Sequence, residues 1–270
     1  MLREITLGQY YQTNSVVHRM DARTKLIATF AYIISLFIRT NIYVYLIAAF
    51  FLSVAIIACR VPFKHIVKGM KAIMVLLLVT VILNMFWTRG EVIFQIWKIS
   101  ITWEGLRIAL FMVFRLSFLI LGSNIMTLTT TPSNLTDGLE SIMRPLKAIR
   151  VPVHEIAMMM SIALRFIPIL MEETDKIMKA QLARGADFEN GNLIKKAKSL
   201  VPILVPLFIS AFRRANDLAM AMEARCYRGG DGRTKMKPLH YEGRDYLTFL
   251  ILIIYLAAVI CLGYYVPKFW

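Results

Sequence analysis

Two short runs of the sequence carry the residues best suited to bind another molecule, "QLARGADF" at 181–188 and "MEARCYRGG" at 222–230. Each run places an alanine, an arginine and a small residue at the end of a long helical pattern. These residues are Ala183, Arg184 and Gly185 in the first run, and Ala224, Arg225 and Cys226 in the second. An arginine in the last helical turn stabilises the helix dipole by about 0.3 to 1 kcal/mol, and its guanidinium can also cap carbonyls or pair with a carboxylate. Because the arrangement occurs twice, we predict two helix tips that insert into grooves of a partner protein.

Residues with acid, base or metal-binding chemistry are few, and their spacing does not favour catalysis. Glu155 lies beside His154, and Glu172, Glu173 and Asp175 form an acidic group that is typical of a solvated helix face. Neither group has the spacing of metal ligands. The histidines are scattered along the chain, at His18, His65, His154 and His240. A membrane enzyme is therefore the alternative to a binding and coupling function, and no metal site is expected.

The glycine-rich run "GGDGRTK", at 229–235, does not have the spacing of a phosphate-binding loop. No glycine directly precedes Lys235, no serine or threonine follows it, and the run comes after a helical pattern instead of between a strand and a helix. We therefore expect no nucleotide or other cofactor in this chain. Any ATP that the system uses must be hydrolysed by another chain.

The composition is that of an integral membrane protein. Hydrophobic residues make up 58% of the chain, charged residues only 18%, and the mean hydropathy is +0.60. Lys and Arg number 32 against 17 Asp and Glu, and this excess favours anionic lipid or an acidic partner protein, not nucleic acid. The three cysteines are widely spaced, which indicates neither a disulfide framework nor a thiolate metal site. The first 25 residues lack the apolar core of a removable signal peptide.

Five segments are apolar enough to be expected as membrane spans: 25–39, 42–59, 71–87, 107–129 and 246–266. Basic residues precede the first span and fill the connection between the second and third, whereas the other connections carry little net positive charge. Positive charge marks cytoplasmic connections, so we predict a cytoplasmic N-terminus and an external C-terminus. The tryptophans then lie at the outer interface, at Trp87, Trp97, Trp103 and Trp270.

The sequence predicts an all-α membrane protein with a cytoplasmic helical domain inserted before its last span. Residues 1–130 hold an N-terminal segment and four spans, 131–245 the cytoplasmic domain, and 246–270 the last span. Within the domain, prolines and cap residues predict helices over 133–144, 152–183 and 192–226. We expect a bend before Pro168, and left-handed residues after the second and third helices at Gly185 and Gly229. The apolar run 199–212 has basic flanks at both ends, so we predict that it lies at the membrane interface.

The chain resembles the transmembrane T component of energy-coupling factor transporters, an importer class related to ABC transporters. The resemblance rests on "MTLTTTPSNLTDGLESIMRPLKAIRVPVHEIAMMMSIALRFIPILMEETDKIMKAQLARGADF", on "AMEARCYRGG" after it, and on "HRMDARTKL" near the N-terminus. It covers nearly the whole chain. Two positions depart from the family pattern: Cys226 stands where the second signature usually has glycine, and Ala22 stands where "D-P-R-T-K" usually has proline.

The resemblance implies a coupling subunit that has no nucleotide site of its own. Two cytoplasmic ATPases, which bind ATP and Mg²⁺, would dock on the tips at Arg184 and Arg225. A separate S component in the plasma membrane of a prokaryote would bind a vitamin or a metal ion, and several S components can share one such subunit. Methionine side chains repack readily against different partners. We therefore expect the S-component surface to include Met158, Met159, Ile162, Phe166, Leu204 and Phe208.

Two further expectations concern charge in the membrane and the remaining rival function. Arg115 lies deep in the fourth span, where an unpaired charge costs at least ~2.5 kcal/mol, so we expect it to face other helices or a partner protein. Asn84 and Asn124 are the candidate hydrogen-bond partners. A self-sufficient secondary transporter is a second alternative. Such a protein would have more spans, internal repeats and broken helices around a midplane site, and the sequence does not provide them.

Overall fold

The computed structural model describes residues 10–38, 41–71, 73–88, 92–96, 99–186, 188, 193–230, 232, 235–236 and 238–265. These residues form nine α-helices, one short 3-10 helix and one antiparallel pair of strands. The helices are α1 (Ala22–Ile38), α2 (Ile42–Cys59), α3 (Phe63–Lys71), α4 (Met74–Trp87), α5 (Trp103–Thr129), α6 (Pro132–Met143), the 3-10 helix (Arg144–Ile149), α7 (Val153–Ala183), α8 (Leu193–Ala224) and α9 (Gly243–Tyr265). The strands are β1 (Val92–Ile96) and β2 (Ile99–Thr102). The expected all-α class is thereby confirmed, with one short strand pair that the sequence did not predict.

The chain divides into two compact units. The larger unit comprises the described residues within Gly8–Ile142 and Leu239–Trp270, and the smaller unit those within Met143–Pro238. The larger unit therefore contains α1 to α6 and α9, and the smaller unit contains α7 and α8. The boundary falls between α6 and the 3-10 helix, next to Pro145, which cannot continue an α-helix without losing a backbone hydrogen bond.

The core of the larger unit is built where α1, α2, α5 and α9 pack together. Phe51 of α2 stacks on Tyr255 of α9, with ring centroids 4.6 Å apart, and the ring of Tyr32 lies beside both. Ser35 donates its hydroxyl hydrogen to the carbonyl of Tyr32, so the 2.6 Å contact between Ser35 and Tyr255 has the tyrosine as donor. Gly122 of α5 allows this cluster to close, because an added Cβ would lie 2.8 Å from the Tyr32 ring.

Among the described residues, four helices are long and apolar enough to cross a membrane: Ile42–Cys59, Trp103–Thr129, Val153–Ala183 and Gly243–Tyr264. Three of them correspond to the expected spans 42–59, 107–129 and 246–266, and the final residue of the last span lies outside the described residues. The expected span 25–39 falls on α1, which has 17 residues. The expected span 71–87 corresponds to α4, an apolar helix of 14 residues that begins three residues later than expected, at Met74.

The smaller unit contains the helices predicted for the second half of the inserted domain. The predicted helix 152–183 corresponds to α7, and the predicted helix 192–226 corresponds to α8, whose expected N-cap at residue 192 lies outside the described residues. By length and composition α7 can also cross a membrane, whereas the sequence favoured a cytoplasmic position. The helix predicted over 133–144 is α6, which belongs to the larger unit.

Candidate functional site

The first predicted tip closes α7 with a complete helix-capping motif. Arg184 is the C-cap residue, and Gly185 follows in the left-handed conformation, with φ of 84°. The amide of Gly185 donates to the carbonyl of Leu182 at 3.0 Å, and the next amide donates to the carbonyl of Gln181 at 3.0 Å. These two bonds define a Schellman motif, which satisfies carbonyls that the end of the helix leaves open. The guanidinium of Arg184 is therefore attached to a backbone of defined geometry.

The second tip repeats the same motif at the end of α8. Cys226 has φ of 56°, its amide donates to the carbonyl of Glu223 at 2.8 Å, and the next amide donates to the carbonyl of Met222 at 3.0 Å. Arg225 thus occupies the same C-cap position as the arginine of the first tip. The expectation that Gly229 closes this helix is wrong, because Cys226 is the left-handed closing residue. Gly229 is also left-handed, with φ of 91°, but it lies three residues further on.

The backbone conformation of Cys226 has an energetic cost that Gly185 avoids. A residue with a Cβ in the left-handed region crowds the following carbonyl and costs roughly 1 to 2 kcal/mol. The sequence departure at position 226 therefore retains the shape of the tip at the expense of local strain. Sequence reasoning missed this, because positive φ is usually signalled by glycine or asparagine.

Both tips are presented to solvent. All of the predicted docking residues are exposed: Ala183, Arg184, Gly185, Ala224, Arg225 and Cys226. Within the part of the chain that the structure describes, neither arginine forms an ion pair. A Cβ added at Gly185 would meet nothing within 4 Å, so the first tip is narrow on that side. The guanidinium groups are accordingly available to a carboxylate or to helix carbonyls of another molecule.

Contacts between α7 and α8 place the tips at opposite ends of an antiparallel pair. Near the end of α7, Gln181 donates to the carbonyl of Pro202 at 3.4 Å. Near its beginning, the ring of His154 lies against Gly230, where an added Cβ would come within 2.3 Å. The tip after α7 is therefore beside the beginning of α8, and the tip after α8 is beside the beginning of α7. At 1.5 Å per residue, this separates the tips by roughly 40 Å along the pair.

Polar contacts hold this pair in register. Arg214 of α8 donates to Glu173 of α7 at 3.0 Å, and Ser210 donates to the same carboxylate. In a regular helix the carbonyl of Pro202 would accept from the amide of residue 206, which is proline and has no N–H. The side chain of Gln181 supplies the missing donor. The spacing of the two prolines was a signal in the sequence for such a contact, although it could not identify the donor.

The residues predicted to contact an S component form two patches, not one. Met158, Met159, Ile162 and Phe166 lie in the first half of α7, and Leu204 and Phe208 lie in the first half of α8. Because the helices are antiparallel, the two groups lie about 20 Å apart along the pair, at 1.5 Å per residue. Met159, Leu204 and Phe208 are exposed, and Met158, Ile162 and Phe166 are half-buried.

A polar junction that sequence reasoning did not foresee joins α1 and α9 in the larger unit. Asp21 caps α1 by accepting the amide of Arg23 at 2.8 Å, and its carboxylate also accepts two bonds from the Arg23 guanidinium. Asp245 is buried and accepts the amides of Asp21 and Glu242, at 3.0 and 2.9 Å. The guanidinium carbon of Arg23 stacks 3.9 Å from the ring centre of Tyr241. Asp21 and Asp245 are residue types that favour helix starts, which was the available signal.

The position of Ala22, which departs from the family pattern, lies inside this junction. Ala22 is the first residue of α1, where proline is also favoured, and its side chain packs against Gly138 of α6. A Cβ added at Gly138 would lie 3.1 Å from that of Ala22. The guanidinium of Arg23 donates to the hydroxyl of Ser141, which is also on α6, at 3.5 Å. The segment around "DARTK" therefore ties α1, α6 and α9 together.

The N-terminal segment packs over the junction through His18 and Lys25. The ammonium of Lys25 donates to the carbonyls of Thr129 and His18, at 2.8 and 3.2 Å. The ring of His18 bonds to the carbonyl of Tyr11 and to the hydroxyl of Ser15, so the nitrogen that faces Tyr11 carries the proton. Burial lowers the pKa of His18 from its ordinary value of 6.5, the bond to Tyr11 offsets part of this, and the charge of Lys25 lowers the pKa further.

Arg115 faces neighbouring helices of the larger unit. Its Nε donates to the hydroxyl of Tyr45 on α2 at 2.9 Å, and its guanidinium carbon lies 5.4 Å from the ring centre of Phe37. Asn84 donates to a carbonyl of its own helix, and Asn124 donates to the carbonyl of Ile66 on α3. Arg115 thus contacts Tyr45 and Phe37, because the side of α5 that carries it meets α2 and α1.

Comparisons with known proteins add the family context. A model of the CbiQ family, described as cobalt transport protein, matches residues 13–236. The chain is 54% identical to an energy-coupling factor transporter transmembrane protein, EcfT, of Clostridium kluyveri, over 94% of this chain and 95% of that protein. Proteins of the same name from Thermosediminibacter oceani and Bacillus subtilis are 52% and 46% identical. These alignments cover 92% and 96% of this chain, and 94% and 98% of the two relatives.

Proposed function

Since the chain belongs to the CbiQ family, described as cobalt transport protein, we propose that it is the transmembrane coupling component of an energy-coupling factor transporter. Relatives with that printed name align with nearly the full chain. The observation that carries the proposal is the pair of matching tips, each with an exposed arginine at the C-cap of a long helix. The chain has no catalytic role of its own in this proposal.

Each tip docks into a groove of one cytoplasmic ATPase. Two tips roughly 40 Å apart along the α7–α8 pair, at 1.5 Å per residue, reach two separate subunits more readily than two grooves of one. The arginine of each tip pairs with a carboxylate or with helix carbonyls in its groove. ATP and Mg²⁺ are bound by the ATPases, which close on ATP binding and bring their grooves together.

The α7–α8 pair transmits this movement toward the membrane. The Glu173–Arg214 ion pair and the bond from Gln181 to Pro202 couple the two helices, so displacement of one tip shifts both. The exposed apolar side chains Met159, Leu204 and Phe208 provide the surface for an S component, in two patches. The S component binds the transported substrate, a vitamin or a metal ion, and different S components use the same two patches. The protein is a multi-pass plasma-membrane protein with its N-terminus in the cytoplasm and its C-terminus outside.

Affinity purification of the tagged chain from its native membrane tests the proposal. The wild type is compared with the double variant Arg184→Glu and Arg225→Glu, and copurifying proteins are identified by mass spectrometry. We expect two ATPases and one or more small membrane proteins with the wild type, and loss of the ATPases with the double variant. The matched control is Arg165→Glu, which reverses an exposed charge in the middle of α7 and should retain both ATPases. Retention of both ATPases by the double variant would refute docking through the tips.

A further inference from the structure

A cleft of about 420 Å³ lies in the larger unit where α2 and α5 begin. Its polar side chains include Asn41, which precedes α2, Tyr43 in the first turn of α2, and Arg107, which lies one turn into α5. The rest of the cleft is apolar and includes Trp103, Leu106 and Leu110. The combination of a cation, an amide, a phenol and a hydrophobic wall is typical of a site for an amphiphilic ligand.

Asn41 contributes a buried side-chain oxygen to the cleft. The residue is 5% exposed, and among the described residues nothing donates to its Oδ1. It stands at the N-cap of α2 with extended backbone, φ −137° and ψ 141°, but its side chain does not cap the helix. Buried amide oxygens are almost always satisfied in folded proteins. The oxygen therefore indicates a ligand that supplies an O–H or N–H donor inside the cleft.

The same end of the cleft is electropositive. The first backbone amides of α2 have no partner within the helix, and the helix dipole adds positive potential there. Arg107 contributes a guanidinium group, whose carbon lies 5.9 Å from the ring centre of Phe111. A group that occupies the polar end of the cleft should therefore be anionic, in addition to carrying a donor for Asn41.

The apolar wall of the cleft is exposed on the surface of the larger unit and is not part of its core. The side chains of Trp103, Leu106 and Leu110 are all exposed, and their spacing places them along one side of α5. Tryptophan at the end of a membrane helix favours the interface between headgroups and hydrocarbon. The wall is accordingly positioned to contact an acyl chain that extends from the interface.

We propose that this cleft binds a phospholipid whose headgroup is anionic and hydroxylated, as in phosphatidylglycerol. The phosphate lies between Arg107 and the first amides of α2, a headgroup hydroxyl donates to Oδ1 of Asn41, and an acyl chain follows the apolar side of α5. A choline headgroup has no donor for Asn41. An amine headgroup adds a second cation beside Arg107. The site does not depend on the transporter assignment, because it rests on α2 and α5 alone.

Native mass spectrometry of the purified full chain tests this site. The chain is exchanged into detergent that contains equal amounts of phosphatidylglycerol, phosphatidylethanolamine and phosphatidylcholine, and the retained lipids are counted as detergent is removed. We expect preferential retention of one phosphatidylglycerol. Asn41→Leu and Arg107→Met should each weaken that retention about tenfold, as expected for loss of one hydrogen bond to a charged or buried group. Arg165→Met, which removes an exposed arginine far along the sequence, should retain the lipid as the wild type does.

Two controls keep the interpretation unambiguous. Thermal unfolding in lipid-free detergent establishes that each variant is folded. If Asn41→Leu does not fold, Asn41→Asp replaces it, because the carboxylate keeps the size of the side chain and repels the phosphate. Equal retention of the three lipids by the wild type would overturn the proposal, as would retention of phosphatidylglycerol that is unchanged in both cleft variants. Stronger retention of phosphatidylethanolamine than phosphatidylglycerol would overturn the assignment of the headgroup.

Discussion

Replacing Gly185 with alanine tests whether the left-handed residue after α7 holds Arg184 in its C-cap position at the end of the helix. The substitution adds only a Cβ, and nothing lies within 4 Å of that atom. No steric clash with the rest of the protein therefore contributes to the effect. The change acts only on the backbone, which has φ of 84° at this residue.

The expected change in the stability of this helix end is the difference between two opposing contributions. A Cβ in the left-handed region costs roughly 1 to 2 kcal/mol, whereas removing glycine from the unfolded ensemble returns roughly 0.5 to 1 kcal/mol. The tip with its Schellman hydrogen bonds formed, the closed tip, is therefore destabilised by about 0.5 to 1 kcal/mol. The population in which these bonds are broken, the open tip, increases roughly two- to fivefold. Cys226→Gly reverses the same terms and should stabilise the second tip by a similar amount.

Hydrogen exchange of the amides that close each motif is the assay. We expect the amide of Gly185 and the one after it to exchange roughly two to five times faster in Gly185→Ala, and the matching amides at position 226 to exchange more slowly in Cys226→Gly. Gly243→Ala is the matched control: this glycine is the first residue of α9, is not left-handed, and also has nothing within 4 Å of an added Cβ. It should leave both tips unchanged. Unchanged exchange at both tips in Gly185→Ala and Cys226→Gly would refute the account of the motif.

Three further predictions concern the polar contacts. Asp245→Asn removes one of the two accepting oxygens and leaves a buried backbone amide, such as that of Asp21, without a partner. Thermal unfolding in detergent should show that the folded state loses about 1 to 3 kcal/mol of stability, and an unchanged midpoint would contradict the junction. A double-mutant cycle of Glu173→Gln and Arg214→Met should give a coupling of only about 0.3 to 1 kcal/mol, because both side chains are partly exposed, and a much larger value would contradict this. The folded chain binds a proton at His18 more weakly than the unfolded chain does, so the stability of the fold should fall as the pH drops below 6.5. If stability depends on pH in the same way in His18→Gln, this residue is excluded as the cause.

Local signals in the sequence were sufficient for most helix boundaries. Pro132 and Pro145 bracket α6, and Pro152 stands directly before α7, because proline favours the first turn of a helix and disfavours its interior. The position of Arg184 at the end of α7 could be predicted from the glycine that follows it, because glycine favours the left-handed conformation after the last helical residue. These features depend on only a few neighbouring residues.

Features that depend on distant residues could not be predicted. The partner of Arg115 depends on which face of α5 meets α2, and periodicity does not determine it. The separation of the two tips follows from the antiparallel register of α7 and α8, which is set by contacts such as Glu173 with Arg214.

The most direct test of the central claim is the composition of complexes purified with each single charge reversal. Native mass measurement of Arg184→Glu, Arg225→Glu and the control Arg165→Glu determines which ATPases remain bound. Truncating a paired interfacial charge typically costs about 2 to 5 kcal/mol, at least a thirtyfold loss of affinity, so each tip variant should lack one ATPase and the two variants should lack different ones. Complexes that retain both ATPases in each tip variant, like the control, would contradict docking through the tips.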